Sequence, residues 1–173
     1  MDLQYTSGAR KTLGFTKAEA LRLGHVYLAP EHLLLGLLDN NESDLAIRAL
    51  LSLDVNLQEL KSDVETRARN RCLSENSFSL MDVMELFSNG RKLGNGFYVE
   101  PGIETLDYMG VIRTARYYAR ENGGIWLGNE DFLLGLNHSG FEDRCGTIPY
   151  QCFAKRKINY DNLKAVLDEI KYE

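Results

Sequence analysis

Leu28-Ala29-Pro30-Glu31-His32-Leu33-Leu34-Leu35-Gly36-Leu37 returns further along as Leu127-Gly128-Asn129-Glu130-Asp131-Phe132-Leu133-Leu134-Gly135-Leu136, and the fold hangs on that repetition. Leu28, Glu31, Leu34, Leu35, Gly36 and Leu37 each recur 99 residues on, Glu31 as Glu130, while Phe132 keeps the bulk of Leu33. Self-similarity at a fixed offset marks an internal duplication. Each copy reads as the opening of a buried helix. Pro30 suits a first turn, where no amide hydrogen is needed, and Asn129 can cap its own copy. The apolar run behind them is nearly continuous, so most sides of the helix must be covered. Glu31 and Glu130 stand where the helix dipole favours negative charge.

Outward from the first copy, Thr6 or Ser7 caps a helix to about Leu23, with Ala9, Leu13, Thr16, Ala20 and Leu23 inward and Gly24 as its stop. After the polar turn Asp39-Asn40-Asn41-Glu42, Ser43 caps a third helix. Asn56 and Glu59, at capping-box spacing, open a fourth with Leu57, Leu60 and Val64 inward. Four helices make one repeat. Residues 71–100 interrupt the rhythm; Ser79 to Phe87 reads as an extra short helix between glycine-rich turns. The second repeat restarts near Pro101. A helix from about Gly102 to Glu121 uses Ile103, Leu106, Ile112, Ala115 and Ala119 inward, and Asn122-Gly123-Gly124 stops it. A longer loop follows the second motif copy, then a shortened third helix at Pro149 to Ala154. Asn159 caps the last helix, with Tyr160, Leu163, Val166, Leu167 and Ile170 inward. No segment alternates like a strand. The expected fold is all-α: repeat one over 1–70, a linker over 71–100 and repeat two over 101–173. The repeats are expected to be related by an approximate two-fold axis, as one globular unit.

Composition narrows the function. A hydrophobic share of 44% and a charged share of 26% are ordinary for a globular chain. The net charge of −5 argues against nucleic acid and for basic or neutral protein partners. No apolar run approaches the ~20 residues that cross a bilayer, so no membrane partner is expected. The first residues, Met1-Asp2-Leu3-Gln4-Tyr5, lack the regions of a signal peptide. Cys72, Cys145 and Cys152 have no framework spacing, which suits a reducing cytoplasm.

Ala20-Leu21-Arg22-Leu23-Gly24-His25, the Glu31-to-Leu37 core and Val55-Asn56-Leu57 together resemble the Clp N-terminal repeat domain of ClpC-type AAA+ unfoldases and of standalone Clp accessory proteins. The duplication is itself a feature of that family. The resemblance implies a non-catalytic module without cofactor or metal, which docks substrates or adaptors for a Clp-type ATPase or peptidase. It also implies two pseudo-equivalent sites for phosphorylated arginine, with Glu31 and Glu130 facing the guanidinium. A carboxylate can hold a guanidinium through a two-bond fork, and a helix N-terminus offers amide hydrogens to phosphate. Pro30, His32, Asn129 and Asp131 complete the two sites by position. The family's Gly-Thr before the glutamate is here Ala29-Pro30 or Gly128-Asn129. Pro30 has no amide hydrogen to give, and Asp131 sets negative charge where the first copy has His32. Neither copy is therefore expected to bind phosphoarginine tightly.

Other signals weigh less. No Gly-x-x-x-x-Gly-Lys-Ser/Thr stretch occurs, so a P-loop is not expected within this sequence. The alternatives are a small α-helical enzyme or metal-dependent sensor using His138, Cys145 and Cys152, or a Clp-like scaffold with no protease connection. His25 and His32 are expected to serve helix-end or interhelix hydrogen bonds. Lys155-Arg156-Lys157 is expected to be a solvated loop. Trp126, Tyr117 and Tyr118 are expected in core or interhelix packing.

Overall fold

The computed structural model describes residues 3–25, 27–40, 44–74, 103–138 and 146–171, with Arg71–Ser74 and Ile103 described through their backbone. Residues 79–87, and with them the extra short helix expected there, lie outside the described residues. The first repeat comprises β1 (Gln4–Tyr5), α1 (Ser7–Arg22), β2 (Tyr27–Leu28), α2 (Pro30–Leu38), α3 (Leu45–Ser52) and α4 (Leu57–Ser74). The second comprises β3 (Ile103–Glu104), α5 (Leu106–Glu121), β4 (Trp126–Leu127), α6 (Asn129–Asn137), α7 (Ile148–Lys155) and α8 (Tyr160–Lys171). The fold is all-α, two four-helix repeats.

Local chemistry sets the helix ends. The Thr6 side chain accepts from Ala9 N, and Thr105 does the same for Tyr108 N. Asn56 accepts from Gln58 N and Glu59 N while its amide donates to Glu59 Oε1, which is a capping box. Asp44, not Ser43, caps α3, its Oδ1 accepting from Ala46 N. The helix after Pro101 starts at Leu106, and Leu106 is 70% exposed instead of inward. The third helix of repeat two is not shortened: α7 has eight residues, as α3 does. The four extra residues lie in the loop before it, so from α7 onward the offset is 103. Asp54 becomes Lys157, and both take positive φ, 56° and 58°.

The duplicated glycines decide how the helices cross. A Cβ on Gly36 would lie 2.6 Å from Thr16 N and 2.9 Å from Thr12 O; on Gly135 it would lie 2.8 Å from Val111 O and 3.2 Å from Ala115 N. Thr12 and Thr16 correspond to Val111 and Ala115 at the same offset of 99. Only a hydrogen there lets α2 settle onto α1, and α6 onto α5, backbone to backbone. The motif leucines then fill the core: Leu34, Leu37 and Leu133 are 0% exposed and Leu136 is 1%.

The helix-only expectation needs one correction. β1 pairs with β4 and β2 with β3, both parallel, with Gln4 opposite Trp126 and Tyr27 opposite Ile103. Thr6 N donates to Leu127 O at 3.0 Å, and its counterpart Thr105 N donates to Leu28 O at 2.9 Å. The strand before the first helix of each repeat is thus strapped to the motif helix of the other. That reciprocity is what a two-fold axis requires. Side chains add two more ties. Asp63 of α4 receives Arg67 Nε at 3.1 Å, Lys155 Nζ at 3.2 Å and Arg156 Nη1 at 3.0 Å. Lys155 and Arg156 therefore clamp α7 to α4 and are not a solvated loop. Thr12 Oγ1 donates to Asn129 Oδ1, and Asn129 Nδ2 to Asp44 Oδ2, at 2.7 and 2.6 Å.

Candidate docking site

The two motif glutamates stand at equivalent places in the fold and in different surroundings. Ala29 and Gly128 are the N-cap residues, both extended, and neither offers a side-chain acceptor to its helix. The third helical residue reaches back instead. His32 Nδ1 accepts from Ala29 N at 3.0 Å, and Asp131 Oδ2 accepts from Gly128 N at 2.9 Å. His32 and Asp131 thus do the same work, as half of a capping box. Because Nδ1 of His32 is an acceptor, its proton sits on Nε2, which faces His25 Nδ1 at 2.7 Å. His25 stacks on Tyr27, ring centroids 5.2 Å apart. Both histidines serve the interhelix hydrogen bonding expected of them.

Burial separates the copies further. Glu31 and His32 are 0% exposed, and Pro30 is buried with them. Glu130 is partly exposed, whereas Glu31 is enclosed. One methyl group sets the two carboxylates on different paths. The carboxylate of Glu130 folds back over Gly128, where an added Cβ would meet its Oε2 at 2.2 Å. Ala29 carries that Cβ, so Glu31 cannot take the same path. Asn129, expected as cap and as a position of the second site, is 3% exposed and tied up with Thr12 and Asp44. Asp131 is also 3% exposed. Burial pushes its carboxyl up to about 6, Glu130 adds to the rise, and the Gly128 amide, Lys171 and Lys164 oppose it. Asp131 is therefore an internal cap and not a surface charge beside a ligand. Of the six motif positions, Glu130 alone reaches the surface.

The alternative nucleophile is poorly placed. Cys152 is fully buried, and burial pushes its thiol up to about 11, far from the thiolate that attacks. His138 Nδ1 shares a hydrogen with the Tyr118 hydroxyl at 2.8 Å. Cys145 lies outside the described residues. Among those residues no group of three or more His, Cys, Asp or Glu side chains is placed to hold a metal. No described helix is long and apolar enough to cross a membrane. The aromatic expectation splits: Tyr118 is 8% exposed, whereas Tyr117 and Trp126 are 57% and 46% exposed. For Tyr117, helical spacing is the signal: it falls with the polar outer residues Arg113 and Arg120 of α5, away from the inward stripe.

Residues 4–75 match the family described as the Clp repeat (R) N-terminal domain. The chain is 28% identical over 137 residues to ClpC/MecB of Bacillus subtilis, a negative regulator of genetic competence, covering 79% of this chain and 14% of that protein. It is equally similar, over the same shares, to the chaperone protein ClpB of Oceanobacillus iheyensis. The chain thus spans about one seventh of the length of these relatives. Among solved structures, the Hsp104 N-terminal domain of Candida albicans superposes with a TM-score of 0.62 at 13% identity, covering 97% of this chain and 91% of that one. The N-terminal domain of the chaperone ClpD of Arabidopsis thaliana superposes with a TM-score of 0.60 at 16% identity, covering 98% and 96%.

Proposed function

We propose, for a chain with a Clp repeat at residues 4–75 and the fold of Clp N-terminal domains along its length, that it is a protein-docking module of a Clp-type ATP-dependent machine. It receives substrates or adaptors for the ATPase, or joins the ATPase or its peptidase. The observation that carries this reading is the double repeat itself, two strapped copies interlocked into one platform. Glu130 is the accessible acid of the two motif copies, and a basic side chain approaching the start of α6 meets it. Glu31, Pro30, His32, Asn129 and Asp131 support the helix starts from within. Phosphoarginine is held weakly, because the Gly128 amide is already taken by Asp131 and the Asn129 side chain by Thr12 and Asp44.

Two measurements test this. Tagged chain is used to capture partners from a native lysate; recovery of a Clp-type ATPase or peptidase supports the docking role. Repeated recovery of neither, with the chain folded, sinks it. Titration with phosphoarginine and arginine then addresses the site. Glu130→Ala is expected to remove what weak binding there is, and Glu31→Ala to act only through stability. Tight phosphoarginine binding lost equally in both variants would mean that the buried copy opens to ligand.

A further inference from the structure

The outer face of α5 differs from that of its twin α1. Met109, Arg113, Arg116, Tyr117 and Arg120 are exposed and fall, with Leu106, within an arc of about 100° on the helix. The equivalent positions of α1 are Arg10, Gly14, Lys17, Ala18 and Leu21, with Ser7 in place of Leu106. The second repeat thus carries three cations and three large apolar or aromatic side chains where the first has two cations and three small residues. No acid interrupts the arc; Asp107 and Glu121 lie at the two ends of α5, off it. Among the described residues Arg113 and Arg120 have no carboxylate partner, and Arg116 donates only to the Tyr5 hydroxyl, at 3.3 Å. That contact joins the helix to the β1–β4 strap, where Trp126 stands exposed. Arg10 Nε, donating to Tyr5 O at 3.2 Å, brings a fourth cation to the same strap.

Arg113, Arg116 and Arg120 are spaced three and four apart, where like charges on one helix repel. Three arginines on one strip, none held by a carboxylate among the described residues, concentrate positive charge locally on a chain of net charge −5. Arginine, tyrosine and tryptophan are also the side chains that carry most binding energy at protein interfaces, by planar charge pairing and stacking. We propose that this face docks an acidic amphipathic helix of a partner protein, laid along α5. Its carboxylates face Arg113, Arg116 and Arg120, and its large apolar side chains lie against Met109, Tyr117 and Trp126. Nucleic acid fits less well, because the strip offers few phosphate contacts and the rest of the chain repels a polyanion. The inference rests on the docking role and names the partner's chemistry at a surface that does not include Glu130.

Trp126 is the only tryptophan, so its emission reports on the site directly. The probe is a labelled peptide of about four helical turns, glutamate on one face and leucine and phenylalanine on the other. Its anisotropy and the Trp126 emission are expected to titrate together, and binding to weaken as salt rises. Arg113→Glu with Arg120→Glu is expected to weaken binding by about tenfold or more. Trp126→Ala is expected to weaken it severalfold while the chain stays folded by circular dichroism, and a lysine-for-glutamate peptide is expected not to bind. The inference is overturned if the peptide does not bind or if charge reversal leaves its affinity intact. It is equally overturned if single-stranded DNA binds this face more tightly, or if sedimentation finds a second copy on it, dissolved by the same variants. Capture of a Clp-type ATPase or peptidase is read separately with the charge-reversed chain, so the general role and this surface fail independently.

Discussion

Asn137 is the least comfortable side chain in the described core. It is 2% exposed, and neither its Oδ1 nor its Nδ2 has a hydrogen-bond partner. Its counterpart 99 residues earlier is Leu38. A buried amide with unmet groups costs about 1–3 kcal/mol, and an apolar residue of similar volume avoids that cost. Asn137→Leu is therefore expected to raise stability by about 1–2 kcal/mol in urea unfolding; a loss would mean the amide is engaged. Two carboxylates give opposite pH signatures. Asp131, raised to about 6 by burial, binds its proton more tightly folded than unfolded, so its contribution is full below pH 4 and lost as pH rises towards 6. Burial also pushes Asp63 up, but hydrogen bonds from Arg156, Arg67 and Lys155 outweigh that and hold it at about 2. Its contribution is full above pH 4 and lost as pH falls towards 2. Asp131→Asn should flatten the stability profile between pH 4 and 6, and Asp63→Asn should flatten it below 4. Unchanged slopes in both windows would contradict these assignments. The residue scale was also where sequence was least legible: nothing in Ala29 or Gly128 announces which glutamate will be folded back and which enclosed.

Helices were the legible part, since capping chemistry and apolar spacing are local. Thr6, Asn56 and Asn159 cap as their types suggest, and the motif leucines are buried as the apolar run requires. The strands were not legible, because two residues cannot show alternation and a parallel pair draws its partner from a distant stretch. The turns at Asp54 and Lys157 were hidden for a different reason. Both adopt a left-handed conformation usually left to glycine, held by the amide of the next residue: Val55 N donates to Leu50 O, and Ile158 N to Phe153 O. Gly36 and Gly135 look like interruptions of an apolar run, and the structure makes them the contact points between paired helices. Gly36→Ala and Gly135→Ala are expected to cost about 2–4 kcal/mol each, the first more, since its Cβ would press on backbone at 2.6 Å. Chemical denaturation reads this directly. A cost below about 0.5 kcal/mol at both sites would show that the helices can separate freely.

At the scale of the whole molecule the repeats are interlocked, not merely adjacent. The straps, the Asp63 clamp and the Thr12–Asn129–Asp44 chain all cross from one repeat to the other. A single cooperative unfolding transition follows, and Gln4→Pro is expected to lower its midpoint by removing the Gln4 N donor to Ile125 O. Two separate transitions in the parent chain would show the repeats to be independent. The symmetry is also where the two copies depart most usefully, because α1 and α5 share a frame and differ on the side facing out. The straps have a further consequence in time. Gln4 is made 122 residues before Trp126, the residue it lies opposite. On the ribosome β1 therefore stays unmatched until most of the chain has been synthesised; at ~5–20 residues per second that is a delay of roughly 6–24 seconds. The earliest strand made is among the last to be seated, and it is during that interval that a nascent chain most needs a chaperone.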